Sequence, residues 1–176
     1  MSARFPIERS CTHQAERFQL AFARRALELM PRDEATAFRS GADGLTIAAE
    51  TEMALQRPVR LLEEVYGAAV RISPPKVRYR GCRQSDRIEQ PIMGLRILCA
   101  PVNFEPIRED LRRRGASILD AEVNRRFGIV RACAPLAQLL GYPDALDRIT
   151  GGRDHLVMWL SHYERLDDPP PAGAAA

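Results

Sequence analysis

Apolar positions in the first half of the chain alternate between two periods. Ala15, Phe18, Phe22, Ala26 and Leu29 recur every three or four residues, which predicts a helix over residues 14–30 lying on a core, ended by Pro31. Polar residues and a Gly41 to Gly44 turn follow, and the alternation of Leu45, Thr46 and Ile47 predicts a strand. Leu55, Val59, Leu62 and Tyr66 return to helical spacing, with Gly67 where a C-terminal cap belongs. Pro58 inside that stripe predicts a kink or a late start. A short strand at Val70 to Ile72 runs into Ser73, Pro74 and Pro75, and a weak one at Phe5 to Glu8 opens the chain. The first half therefore predicts β-α-β-β-α-β.

The second half repeats the order. Ile92 to Ala100 predicts a strand stopped by Pro101; Asn103 stands where it can cap a helix from Phe104 to Arg114, with Pro106 in the first turn and Gly115 closing it. Ile118 to Val123 and Phe127 to Ala134 predict a hairpin joined through Asn124, Arg125 and Arg126. A short helix carries Leu136, Leu139 and Leu140, and Leu146 and Ile149 form a further apolar face. In the last strand, Leu156, Met158 and Leu160 alternate with Val157 and Trp159. Two consecutive split β-α-β units predict an α+β chain of two tandem ferredoxin-like domains. Their expected bounds are 1–80 and 89–166, with a polar linker at 81–88 and a disordered tail at 167–176.

Composition narrows the function more by exclusion than by pointing. The 176 residues are 45% hydrophobic and 28% charged, as in globular proteins. No apolar run approaches the length of a membrane span and no secretory leader opens the chain, so a cytoplasmic protein without a membrane partner is expected. Cys11, Cys82, Cys99 and Cys133 lie far apart with no histidines at ligand spacing, which predicts neither a disulfide framework nor a metal site. His155 and His162, seven apart in a predicted strand, are expected on opposite faces.

Lys76 is the only lysine, and it follows Ser73, Pro74 and Pro75 and precedes Val77. A P-loop needs a glycine-rich turn followed by Lys and then Ser or Thr, so none exists in these residues. Cys11 and His13 read as an incidental pair, and Glu63/Glu64 and Glu109/Asp110 as solvated helix faces. No catalytic activity and no cofactor are expected. The remaining chemistry is basic. Arg108, Arg112, Arg113 and Arg114 crowd one helix and Arg125 and Arg126 the hairpin tip; if these approach each other they form a phosphate-binding patch. Arginines in a last helical turn also complement the helix dipole with no ligand at all. Aromatics for base stacking are not interleaved with these arginines.

Several spaced motifs carry a family resemblance. Residues 89–93 (E-Q-P-I-M), 111–115 (L-R-R-R-G), 134–142 (A-P-L-A-Q-L-L-G-Y) and 149–164 (I-T-G-G-R-D-H-L-V-M-W-L-S-H-Y-E) resemble the C-terminal domain of the translocation GTPase elongation factor G. Residues 63–80, where E-E-V-Y-G-A-A-V precedes P-P-K-V-R-Y-R, are similar to its third domain. The resemblance implies third-like and fifth-like domains joined directly, without the GTPase, second and fourth domains between or beside them. Where the family's third domain has G-E-L-H-L facing the GTPase, this chain has Thr51, Glu52, Met53, Ala54 and Leu55, which implies that this interface is lost. By the same resemblance the expected partner is the ribosome, at RNA and protein near the factor-binding centre, or a translation factor, with no DNA. The alternative is a protein-interaction or regulatory module that kept the fold and no longer binds ribosomes.

Overall fold

The computed structural model describes residues 4–31, 33–81 and 88–166, so most of the expected linker (82–87) and all of the expected tail (167–176) lie outside the described residues. The chain divides into two compact units, one ending at Arg78 and the next starting at Tyr79. Neither contains a helix long and apolar enough to cross a membrane among its described residues.

The first unit runs β1 (Ile7–His13), α1 (Gln19–Leu29), β2 (Thr36–Gly41), β3 (Gly44–Ala49), α2 (Glu52–Tyr66), β4 (Val70–Ile72) and β5 (Lys76–Val77). Its antiparallel sheet has the order β2-β3-β1-β4, with β5 also pairing β1. Phe22, Ala23 and Ala26 of α1 and Leu55, Val59 and Leu62 of α2 are buried with Ile7, Cys11, Leu45 and Ile47 of the sheet, so both helices bury their apolar stripes in one core.

Three local expectations change here. Residues 36–41 form a strand, because Thr36 to Gly41 pair Ala49 to Gly44 in an unbroken ladder whose propensity signal is weak. The first helix begins at Gln19, five residues later than the stripe suggests: the Gln19 side chain accepts from the His13 amide (2.8 Å) and donates to the His13 and Glu16 carbonyls (2.9 and 2.7 Å), which holds residues 13–16 as a turn. The second helix starts on time and runs through Pro58. Thr51 caps it by accepting from the Ala54 amide (3.3 Å), and burial of Pro58, Val59 and Leu62 offsets the one backbone bond that proline forgoes.

The second unit runs β6 (Arg80–Gly81), β7 (Ile88–Cys99), α3 (Phe104–Arg113), β8 (Ser117–Val123), β9 (Gly128–Pro135), α4 (Leu136–Leu139), α5 (Tyr142–Thr150) and β10 (His155–Arg165). The sheet order is β10-β7-β9-β8, and β6 pairs β7. Setting aside the two-residue strands β5 and β6, each unit places its first strand centrally, beside its third and fourth, the order of a split β-α-β fold, and the described residues form two antiparallel sheets. Arg80 and Gly81 pair with Glu89 and Ile88, so the second sheet claims both ends of the expected 81–88 linker and the last residue of the expected first domain. Phe104, Ile107, Leu111, Leu136, Leu139, Tyr142 and Leu146 are buried over Met93, Leu95, Ile97, Val130 and Ala132.

Asn103 does not cap α3. It lies in a 3-10 turn, Pro101–Asn103, with helical backbone angles and no side-chain cap bond, since Pro101 starts the winding a turn earlier. Gly115 does close the helix: at φ 73 its amide reaches the Arg112 carbonyl (2.9 Å) and that of Ala116 reaches Leu111 (2.9 Å), the paired bonds of a Schellman motif.

Candidate nucleic-acid interface

The six arginines divide according to where α3 and the β8–β9 hairpin run. The helix ends at Gly115 and the chain turns directly into β8 at Ser117. Strand β8 then travels back along the helix and reaches the hairpin at the opposite end. There Val123 pairs Gly128, and a Cβ on Gly128 would lie 2.6 Å from Phe104 Cδ2. The hairpin tip therefore neighbours the start of α3. Arg112, Arg113 and Arg114 stand at the far end, on the order of 15–20 Å away by helix rise and strand length. The expected single patch does not form, because a helix followed by an antiparallel strand returns the chain past its own beginning.

Two of the six are engaged within the unit. Arg108 bonds Glu105 (2.6 Å) and lies over the Phe104 ring (5.4 Å to the centroid). Arg114 bonds Asp110 (2.8 Å) and the Gln138 carbonyl (3.0 Å), and covers the Tyr142 ring at 5.1 Å. Tyr142 is itself fully buried; burial first, then Asp110, pushes its hydroxyl pKa up against the opposing pull of Arg114. Arg114 thus fastens α3 to the α4–α5 region, a structural role that its place in the sequence does not signal.

The other four reach solvent. Arg113 makes one long bond to the Glu109 carbonyl (3.4 Å), and Arg112, Arg125 and Arg126 are exposed with no ion pair among the described residues. The tip that carries Arg125 and Arg126 is rigid in its backbone: Asn124 Oδ1 accepts from the amides of Arg126 (2.8 Å) and Phe127 (3.0 Å). Phe127, 42% exposed, adjoins this pair, so one aromatic does accompany the basic residues.

One further placement corrects the sequence reading. The register shift between Leu160 and His162 puts His162 opposite Ile92 and His155 opposite Leu98. Both histidines therefore share a face, some 20 Å apart along β7. No group of three or more His, Cys, Asp or Glu that could hold a metal gathers among the described residues. The Cys11 thiol is pushed up to about 12 by burial, with Arg9 opposing, and the Cys99 thiol is raised by burial and Asp154. Neither is a thiolate at neutral pH.

Comparison with known proteins places the second unit. Residues 87–172 match the family described as Elongation factor G C-terminus. Elongation factor G 1 of Syntrophomonas wolfei is 33% identical over 78 residues, 44% of this chain and 12% of that protein. Elongation factor G of Fervidobacterium nodosum is 32% identical over 79 residues, 45% of this chain and 11% of its own length. The matched stretch is thus a small part of these relatives. A crystal structure from Thermus thermophilus superposes with a TM-score of 0.64 at 18% identity, covering 99% of this chain and 42% of that one, a likeness of fold. Residues 87–172, just under half of the chain, are thus similar to the elongation factor G C-terminus, while over the whole chain the likeness is one of fold.

Proposed function

We propose that this chain acts by docking, on the ribosome or on a translation factor, and that its own residues neither hydrolyse GTP nor drive translocation. The observation that carries the reading is the set of four solvent-facing arginines, Arg112, Arg113, Arg125 and Arg126, on a unit matched to the elongation factor G C-terminus. Their separation makes them two phosphate contacts, one at each end of α3, with Arg108 and Arg114 held back by internal partners. Ribosomal RNA presents phosphates at such spacings along one strand or across a groove, and arginine binds them bidentately. A translation-related partner also agrees with a cytoplasmic location.

Cosedimentation with ribosomes across a salt series tests this. Binding should be strong at low salt and weaken as salt rises. Absence of binding at low salt, or binding indifferent to alanine at all four arginines, refutes the reading. GTP turnover that follows the protein through successive purification steps would refute its non-catalytic part.

One observation favours the second reading, a protein-interaction module. A groove of about 590 Å³ on the first unit is lined by Leu29, Pro31, Met53, Leu61, Arg57 and Arg60, among others, and leaves Met53 54% exposed. Exposed apolar surface of this kind, rimmed by charge, suits a partner segment. A pull-down from native extract dominated by non-ribosomal protein is the result expected of that alternative.

A further inference from the structure

The sheet of the second unit has one face under helices and one turned to solvent. Register sets His155, Val157 and Trp159 of β10 opposite Leu98, Arg96 and Gly94 of β7, and these last opposite Ile129, Arg131 and Cys133 of β9. The intervening residues Leu95, Ile97, Val130 and Ala132 are buried, so the first set occupies the open face. Trp159 is its centrepiece. A Cβ on Gly94 would lie 2.5, 2.6 and 2.7 Å from Cε2, Cζ2 and Nε1 of the indole. The ring therefore rests directly on the backbone of the central strand, and it is still 46% exposed.

Arg96, diagonal to Trp159 on the same face, is exposed with no hydrogen-bond or ion-pair partner among the described residues. Its cross-strand neighbour Arg131 bonds Asp120 (3.0 Å) while remaining half-exposed. The acids of this region, Asp120 and Glu122, stand on the edge strand β8; none lies within Gly94–Leu98 or His155–Trp159. An exposed indole offers a stacking plane to an unpaired base, and a free guanidinium beside it offers a fork to the neighbouring phosphate. Four-stranded sheets with aromatics on the open face hold RNA bases by the same physics. An apolar protein partner fits worse, since it would strip water from Arg96 without pairing it.

We propose that the open sheet face of the second unit binds single-stranded RNA, with Trp159 stacking on a base and Arg96 engaging the adjacent phosphate. The choice of RNA rests on the translation-related reading above, but the surface uses none of the four arginines assigned there.

Trp159 is the only tryptophan in the chain, so fluorescence excited selectively at tryptophan reports this surface alone. Titration of the full chain with octauridine at low salt should quench it saturably. A duplex RNA of equal length should bind at least about tenfold more weakly, because its bases are already stacked. By anisotropy of a labelled octauridine, Trp159→Ala should weaken binding about tenfold and Trp159→Phe should retain most of it. Arg96→Ala should flatten the log–log salt slope by about 0.7. Alanine at Arg112, Arg113, Arg125 and Arg126 should leave the quenching in place, so failure of ribosome docking and failure of this site are separately visible. Absence of quenching, equal quenching by duplex, or unchanged affinity in Trp159→Ala overturns the proposal. So does sedimentation showing that Trp159 is shielded by a second copy of the chain.

Discussion

Tyr142 brings a fully buried ring into the core of the second unit, yet its hydroxyl has no hydrogen-bond partner among the described residues. A buried donor left unmade costs about 1–3 kcal/mol. The ring itself remains useful as packing surface and as the plane beneath Arg114. Tyr142→Phe keeps both and removes the orphan, so thermal unfolding should show equal or higher stability, by about 1 kcal/mol. A clear loss of stability would mean that the hydroxyl is bonded after all. Cys11 gives a pH prediction at the same scale. Its folded thiol titrates at about 12 against an ordinary 9.0, so the folded state holds its proton where the unfolded chain releases it. The resulting stability is complete below about pH 9 and declines as pH climbs from 9 toward 12. Denaturant midpoints of the protein and of Cys11→Ala, measured across that range, should converge as pH rises. Parallel curves would refute the assignment.

Helix α3 shows what a single glycine contributes to an element. Gly115 holds φ 73 in open space, where a Cβ would meet nothing within 4 Å, so its role is purely conformational. Gly115→Ala should cost about 1–2 kcal/mol through the left-handed backbone alone, read as a lower unfolding midpoint with the native fold retained; no change would show that the turn can relax. This glycine was legible in the sequence, as were Gly67 and the alternation of β10, because each follows from a rule that acts within a few residues. The order of strands was legible too, since two β-α-β-β-α-β patterns leave few ways to cover one sheet face. What escaped depends on distant partners or on departures from regularity. Thr36 to Gly41 become a strand through pairing with β3, and Asn103 loses its cap role to the turn started by Pro101. The bulge after Leu160 reverses the expected face of His162. Arg96 and Trp159 carry a weak signal, a lone charge and a lone aromatic at solvent-side positions of apolar runs, which becomes meaningful only once register brings them to one face.

At the scale of the molecule, the two arginine pairs become a quantitative test of how the chain meets its partner. The pairs are separated by the length of α3 and share no described partner, so their contributions to binding should be independent. Each arginine that meets a phosphate releases about one counterion, and its loss should flatten the log–log salt slope of ribosome binding by about 0.7–0.9. Arg112→Ala with Arg113→Ala, and Arg125→Ala with Arg126→Ala, should each lower that slope by up to about two. The fourfold variant should show the sum of the two losses in binding free energy. A fourfold loss no larger than either double would mean that only one end of the helix touches the partner. A loss much larger than the sum would mean that the ends act as one site, which their placement on opposite ends of a rigid helix and hairpin forbids unless the partner bends to reach both.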